Sequence, residues 1–145
     1  MSGLIDLPDV NVWVALTDTG HVHHRRATGY WNTERPSRLA LCGVTRAGML
    51  RIMTNPKVMA ANPFDLSEAW RRYQEFADLP EVDFLPDSQH TGAEIGRWCR
   101  GAGFPHRLWT DAWIAALALE HGCRVVSFDA DFARFPGLDF LHLQP

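Results

Sequence analysis

The chain has 145 residues, 46% of them hydrophobic and six of them Trp, with a formal charge of −3. That length and composition predict one globular domain over 1–145 with a real core, and exclude a disordered or fibrous chain. No apolar run reaches the length of a membrane span, the N-terminus lacks the basic and apolar regions of a signal peptide, and the net charge gives no global attraction to nucleic acid.

Any RNA contact therefore needs a local basic patch. All the basic residues are Arg except Lys57. Arg suits phosphate recognition, though a GC-rich coding sequence produces the same bias. Cys42, Cys99 and Cys123 are odd in number and far apart, which reads as buried thiols in a reducing cytosol.

Leu4 to Leu7 is a short apolar run expected to form the first strand, with Pro8 as a bulge or as the strand's last residue. Asp9 then stands at a strand-to-helix switch, with Asn11 two residues on and helix expected to about Leu16. The spacing of His23, Ala27, Tyr30, Trp31 and Glu34 predicts an amphipathic helix over 23–34. His21, His23 and His24 are disfavoured as metal ligands, because adjacent helical residues point about 100° apart.

Arg38 to Cys42 reads as a strand and Val44 to Thr54 as a helix, stopped by Asn55-Pro56. Lys57 opens a loop rich in Asn and Pro. Asp65 with Glu68 resembles a capping box. Leu66, Ala69, Trp70, Tyr73, Phe76 and Ala77 make one apolar stripe read as core. Val82 to Leu85 is a short strand, and a helix striped by Ile95, Trp98 and Cys99 ends at Gly101 and Gly103.

The most informative stretch is Leu108 to Phe132. Thr110 is placed as an N-cap and Asp111 in the first turn of an Ala- and Leu-rich helix, apolar nearly all round and so expected to be buried. Gly122 supplies a left-handed stop. Arg124 to Phe128 is a β-prone run, with Asp129 and Asp131 where that strand ends, and Phe140 to Leu143 is a final edge strand. Strands alternating with helices predict a three-layer α/β/α domain with a central, mostly parallel sheet. In such sheets the ligand crevice lies outside the carboxyl ends of the strands. Taken singly, each Asp has an ordinary structural explanation as a cap or turn former. Together they suggest a shared site.

Asp9-Val-Asn11-Val-Trp, Thr110-Asp111-Ala-Trp-Ile-Ala-Ala-Leu-Ala and Ser127-Phe-Asp129-Ala-Asp131-Phe, in that order and at that spacing, resemble a PIN-domain ribonuclease of the VapC-like toxin type. The resemblance covers essentially the whole chain. Val44-Thr45-Arg46 through Asn55-Pro56 is similar to the third-helix region of one VapC-like branch. The resemblance implies a PIN-like fold and a metal-dependent endoribonuclease whose Mg²⁺ or Mn²⁺ is held by Asp9, Asp111 and Asp129, with Asp131 as an additional or outer member. Asn11 and Ser127 match the polar positions beside those acids. It also implies an RNA substrate, a cognate antitoxin covering the cleft, a homodimer and a cytoplasmic location.

One departure stands out. The family usually carries a fourth acid near the start of the third helix, and Arg46 stands there instead. Exchanging carboxylate for guanidinium shifts local charge by about two units, which favours one ion over two. Arg46 either reaches the acids or faces solvent and the RNA groove, and the second is the expectation.

The chemistry agrees with the resemblance. Converging carboxylates repel one another, and a hard cation with oxygen ligands relieves that repulsion. A haloacid-dehalogenase-like phosphatase wants a second Asp where Asn11 stands, and a response-regulator receiver wants a late Lys that is absent. The remaining alternative is a PIN-like module that has lost catalysis and acts through protein or RNA contacts.

Overall fold

The computed structural model describes residues 4–59 and 63–145, so the Asn- and Pro-rich loop after Lys57 lies partly outside the described residues. Five strands form one sheet: β1 (Ile5–Pro8), β2 (Arg38–Cys42), β3 (Val82–Leu85), β4 (Arg124–Ser127) and β5 (Asp139–His142). Their order is β3-β2-β1-β4-β5, and every pairing is parallel. The chain thus builds outward from β1 to β3 on one side, then returns to lay β4 and β5 on the other. The β1/β4 boundary is the topological switch point, where the crevice of an open α/β sheet opens.

Side chains alternate faces along each strand and divide the core in two. Leu7, Ala40, Cys42 and Val125 pack with α5 (Gln89–Arg100) and α6 (Trp109–His121). Leu39, Leu41 and Val82 pack with α1 (Val10–Thr17), α3 (Gly43–Met53) and α4 (Leu66–Ala77). A third cluster of Val12, Tyr30, Val126 and Leu143 continues that second layer beneath α2 (His24–Gly29). The three-layer α/β/α expectation holds, with a wholly parallel sheet. Helix α6 is buried because Ala112, Ile114, Ala115, Ala116, Leu117 and Ala118 leave it little polar surface, and Gly122 ends it at φ 68°.

Several local expectations change. Thr110 is not the N-cap of α6; a 3₁₀ turn over His106–Leu108 leads directly into the helix, so Leu108 takes that position and Thr110 lies inside the first turn. The helix expected over 23–34 widens after Gly29 into a π turn, Tyr30–Glu34. The Asp65 carboxylate accepts the Glu68 N–H at 2.7 Å, but the Glu68 carboxylate turns to Arg71 and Arg72, so the capping box is half made. Within the stripe of α4, Ala69 and Tyr73 are buried, whereas Leu66 is 79% and Trp70 47% exposed. Cys42 and Cys123 are buried, but Cys99 is exposed, next to the C-terminal end of α5 at Arg100. Pro8 is the last residue of β1, the second of the two expectations for it.

A buried charge ties the switch point together. Asp6 on β1 is fully buried, accepts the Tyr30 hydroxyl at 2.6 Å, and takes two bonds from the Arg124 guanidinium of β4, each at 2.9 Å. Three hydrogen bonds thus converge on one carboxylate whose desolvation they must offset. Removing one partner of such a set strands the other. Asp6→Ala is expected to lose about 3 kcal/mol and Tyr30→Phe about 1.5 kcal/mol, read from urea unfolding midpoints.

Helices α1 and α3 touch through Gly48. A Cβ built there would stand 2.6 Å from Val10 Cγ2, inside van der Waals contact. Valine is stiff at χ1 in a helix and cannot swing clear. Gly48→Ala should therefore cost about 1–3 kcal/mol by overpacking, and adding Val10→Ala should recover most of it in the same unfolding measurement.

Candidate active site

The site begins with what ends the two central strands. After Pro8 the chain turns through Asp9, whose extended backbone (φ −69°, ψ 165°) makes it the N-cap of α1, with its Oδ1 accepting the Val10 N–H at 2.7 Å. The Asp9 N–H donates to the Val126 carbonyl at 2.8 Å, so the cap is stitched to β4. From the end of β4, the Ser127 hydroxyl donates to Asp9 Oδ2 at 2.8 Å. The Ser127 Oγ in turn accepts the Asn11 amide N–H at 3.2 Å and the Asp129 N–H at 2.9 Å. Asn11 Oδ1 also lies 3.4 Å from that hydroxyl, but its single proton belongs to the shorter bond, to Asp9. One buried hydroxyl therefore orients residues more than a hundred positions apart in the chain.

Asp111, in the first turn of α6, lines a cavity of about 810 Å³ together with Asp9, Asn11 and Arg46. Asp129 caps the 3₁₀ turn Ala130–Arg134 by accepting the Asp131 N–H at 2.9 Å. Asp131 points to Arg107, an ion pair at 2.6 Å, which holds its carboxyl below the usual range. Burial pushes the Asp111 carboxyl up to about 7, and the negative charges of Asp9, Asp129 and Asp131 add to the rise while Arg107 opposes it. Burial likewise raises Asp9, against the Ser127 and Val10 bonds that lower it, with the Asp129 charge adding a smaller rise. The predicted aspartates therefore interact through space.

Whether these residues suit a divalent cation follows from that charge. Among the described residues, no ion pair involves Asp9, Asp111 or Asp129, and their oxygens are the donors a hard cation takes. Among the described residues, no three acidic, His or Cys side chains stand close enough to hold a metal ion between them. An ion held through one or two carboxylates, with water completing its shell, suits that open arrangement.

Arg46 does not reach the acids. Its guanidinium lies over the Phe84 ring, 4.6 Å from the centroid, and among the described residues it makes no ion pair. Sequence reasoning missed Asp87, which follows β3, lines the same cavity, and accepts the Trp113 indole N–H at 2.6 Å. The signal was available, since Asp87 follows a strand end just as Asp9 and Asp129 do. The histidines are taken up locally: His23 stacks on Phe128 with centroids 4.3 Å apart, and His24 Nδ1 lies 2.7 Å from the Ala15 carbonyl.

Comparison with known proteins gives this geometry a context. The sequence profile of the PIN domain matches residues 7–138. The chain belongs to the PIN-domain family. Among its relatives, Ribonuclease VapC41 of Mycobacterium tuberculosis is 33% identical over 141 residues, covering 92% of this chain and 94% of the relative. Ribonuclease VapC33 of the same organism is 33% identical, covering 91% and 93%. The solved structure of M. tuberculosis VapC20, described as a Sarcin-Ricin loop cleaving toxin, superposes with a TM-score of 0.72 over 97% of this chain and 99% of that one, at 16% identity. VapBC2 from Rickettsia felis, bound to a promoter DNA fragment, gives 0.69 over 97% and 100% at 13% identity. At those identities the structures establish a shared fold.

The raised Asp111 gives this PIN domain a pH signature when no divalent cation is present. Between the ordinary carboxylate range and about 7 Asp111 holds its proton more fully in the folded protein than in the unfolded chain, so its contribution to stability falls as pH rises through that window. His21, which burial lowers, makes an opposite and separate contribution. Thermal melts in EDTA from pH 4.5 to 8 should show that decline, and Asp111→Asn should flatten it. A wild-type profile already as flat as the variant's would contradict the charge assignment.

Proposed function

We propose that this PIN domain, acting as one unit over 1–145, is a metal-dependent endoribonuclease and the toxin half of a toxin–antitoxin pair. The observation that carries the reading is that the Ser127 hydroxyl joins Asp9 to Asp129 while Asp9 and Asp111 line one cavity, none of the three having an ion pair among the described residues. The names of the VapC ribonucleases at 33% identity over nearly the full length supply the substrate class.

In this reading Asp9, Asp111 and Asp129 would together hold one Mg²⁺ or Mn²⁺, one or two of them directly and the rest through the ion's waters. When bound, that ion neutralises charge on the phosphodiester and lowers the pKa of a coordinated water. The protein's own contribution is orientation and charge. The Ser127 and Val10 bonds fix both oxygens of Asp9, and Asn11 and the Asp129 N–H hold the Ser127 hydroxyl so that its proton faces Asp9. Asp111 borders the same cavity from the first turn of α6. Asp131, occupied by Arg107, serves as an outer charge.

The same reading supplies partners. The neighbouring structures include toxin–antitoxin complexes such as VapBC-5 of M. tuberculosis, which supports an antitoxin for this chain, with a homodimer as its own assembly and the cytoplasm as its compartment. No helix among the described residues is long and apolar enough to cross a membrane. A catalytically silent binding module is the less favoured reading, since Arg46, its best argument, stacks on Phe84 instead of neutralising the acids.

The test is direct. Asp9→Asn, Asp111→Asn and Asp129→Asn should each cut RNA cleavage by about 100-fold or more with folded circular-dichroism spectra. EDTA should abolish wild-type cleavage and Mn²⁺ restore it. Wild-type rates in all three variants, or cleavage indifferent to EDTA, would overturn the nuclease reading.

A further inference from the structure

The cavity that contains Asp9 and Asp111 has a second, chemically different wall. Val44, Ala47, Ile52, Phe84 and Pro86 line it, with Arg46 and Arg51 bordering the same space. Phe84 is 42% exposed, an aromatic ring on edge strand β3 turned toward α3 with much of its surface unburied. Arg46 sits in the first turn of α3, where the helix dipole disfavours a cation and where this helix has no acid to offset it. Its position is therefore explained by what it covers, which is Phe84, with the guanidinium carbon 4.6 Å from the ring centroid.

A planar guanidinium on an exposed aromatic ring, beside carboxylates suited to a phosphate-bridging cation, matches one ligand chemistry. Single-stranded RNA is held by stacking splayed bases on aromatic rings and Arg planes while cationic groups follow the backbone. A cavity of about 810 Å³ lies in the range that encloses small organic groups. Paired duplex bases stay stacked inward and cannot enter it.

We propose that the Arg46–Phe84 wall is a nucleobase subsite, which takes one unpaired base flanking the phosphodiester bound at Asp9, Asp111 and Asp129. Resting on the nuclease reading above, it deepens that reading to a substrate class: RNA with an unstacked nucleotide next to the cut. Arg51, at the other end of α3 and on the same cavity, attracts the neighbouring phosphate. The acidic and the aromatic walls thus read different parts of one nucleotide unit.

The test uses a set of oligoribonucleotides, each with one abasic nucleotide at a different position around the cut. Binding is read by fluorescence anisotropy with Asp9→Asn protein in Mg²⁺, and cleavage with otherwise native protein. One abasic position next to the cut should weaken binding about tenfold, against less than about twofold elsewhere. Adding Phe84→Leu should weaken the intact strand to the same extent, add nothing on that abasic strand, and be rescued by Phe84→Trp. Uniform tolerance of abasic positions, which needs no variant to observe, overturns the subsite. So does an undiminished affinity in Phe84→Leu, the result expected if the wall instead receives an apolar segment of a protein partner. Failure to cleave any RNA while this binding pattern persists would instead count against the nuclease reading alone.

Discussion

Everything at this site depends on β1 and β4 lying side by side, and that pairing is enforced by polar contacts as much as by apolar packing. Below the crevice, Asp6 of β1 grips the Arg124 guanidinium of β4. At its mouth, the Ser127 hydroxyl of β4 grips Asp9 after β1. A one-residue slip between the strands would break both sets at once and turn Leu7 and Val125 out of the core. Buried polar networks of this kind contribute little net stability compared with apolar packing, but they select one register. The register in turn decides whether the carboxylates meet.

Gathering charge in a half-buried place has a cost, and the way it is distributed explains the roles of the individual acids. Asp9, almost fully buried, receives two hydrogen bonds that oppose its desolvation. Asp131, nearer solvent, has Arg107. Asp111 has neither, and it is the one displaced to about 7. The carboxyl with the least local support is thus the one that gains most from an incoming cation, which couples ion binding to folding. Strain of this sort belongs at a functional site, since a protein selected only for stability would remove it.

The fold was legible because its signals are redundant. Strand β4, the Gly122 stop and the buried face of α6 each follow from periodicity and from one residue type. The positions of Asp9, Asp111 and Asp129 were readable for a related reason, since strand ends and helix starts on one sheet edge converge by topology. What escaped was decided by tertiary neighbours. The entry into α6 depends on the preceding 3₁₀ turn, which displaces Thr110 from the cap. The Glu68 side chain chooses two arginines over its own helix end. At Asp87 the preceding strand end was readable, but the bond it accepts from the Trp113 indole was not. None of these is a local property of the chain.

Arg46 shows how a departure from a family pattern acquires meaning only in three dimensions. As a letter in a sequence it replaces a carboxylate and weakens the case for catalysis. In space its charge is directed away from Asp9 and Asp111, and the groups that shift those two acids do not include it. The substitution therefore polarises the cavity without quenching it. Negative charge gathers at the ends of β1 and β4 and the start of α6, with Asp87 after β3, and positive charge lies along α3 with the Phe84 ring beside it. A polyanion crossing such a cavity is repelled at one wall unless a cation screens it and is attracted at the other in any case, so the second wall sets its approach and the first acts once the cation is there.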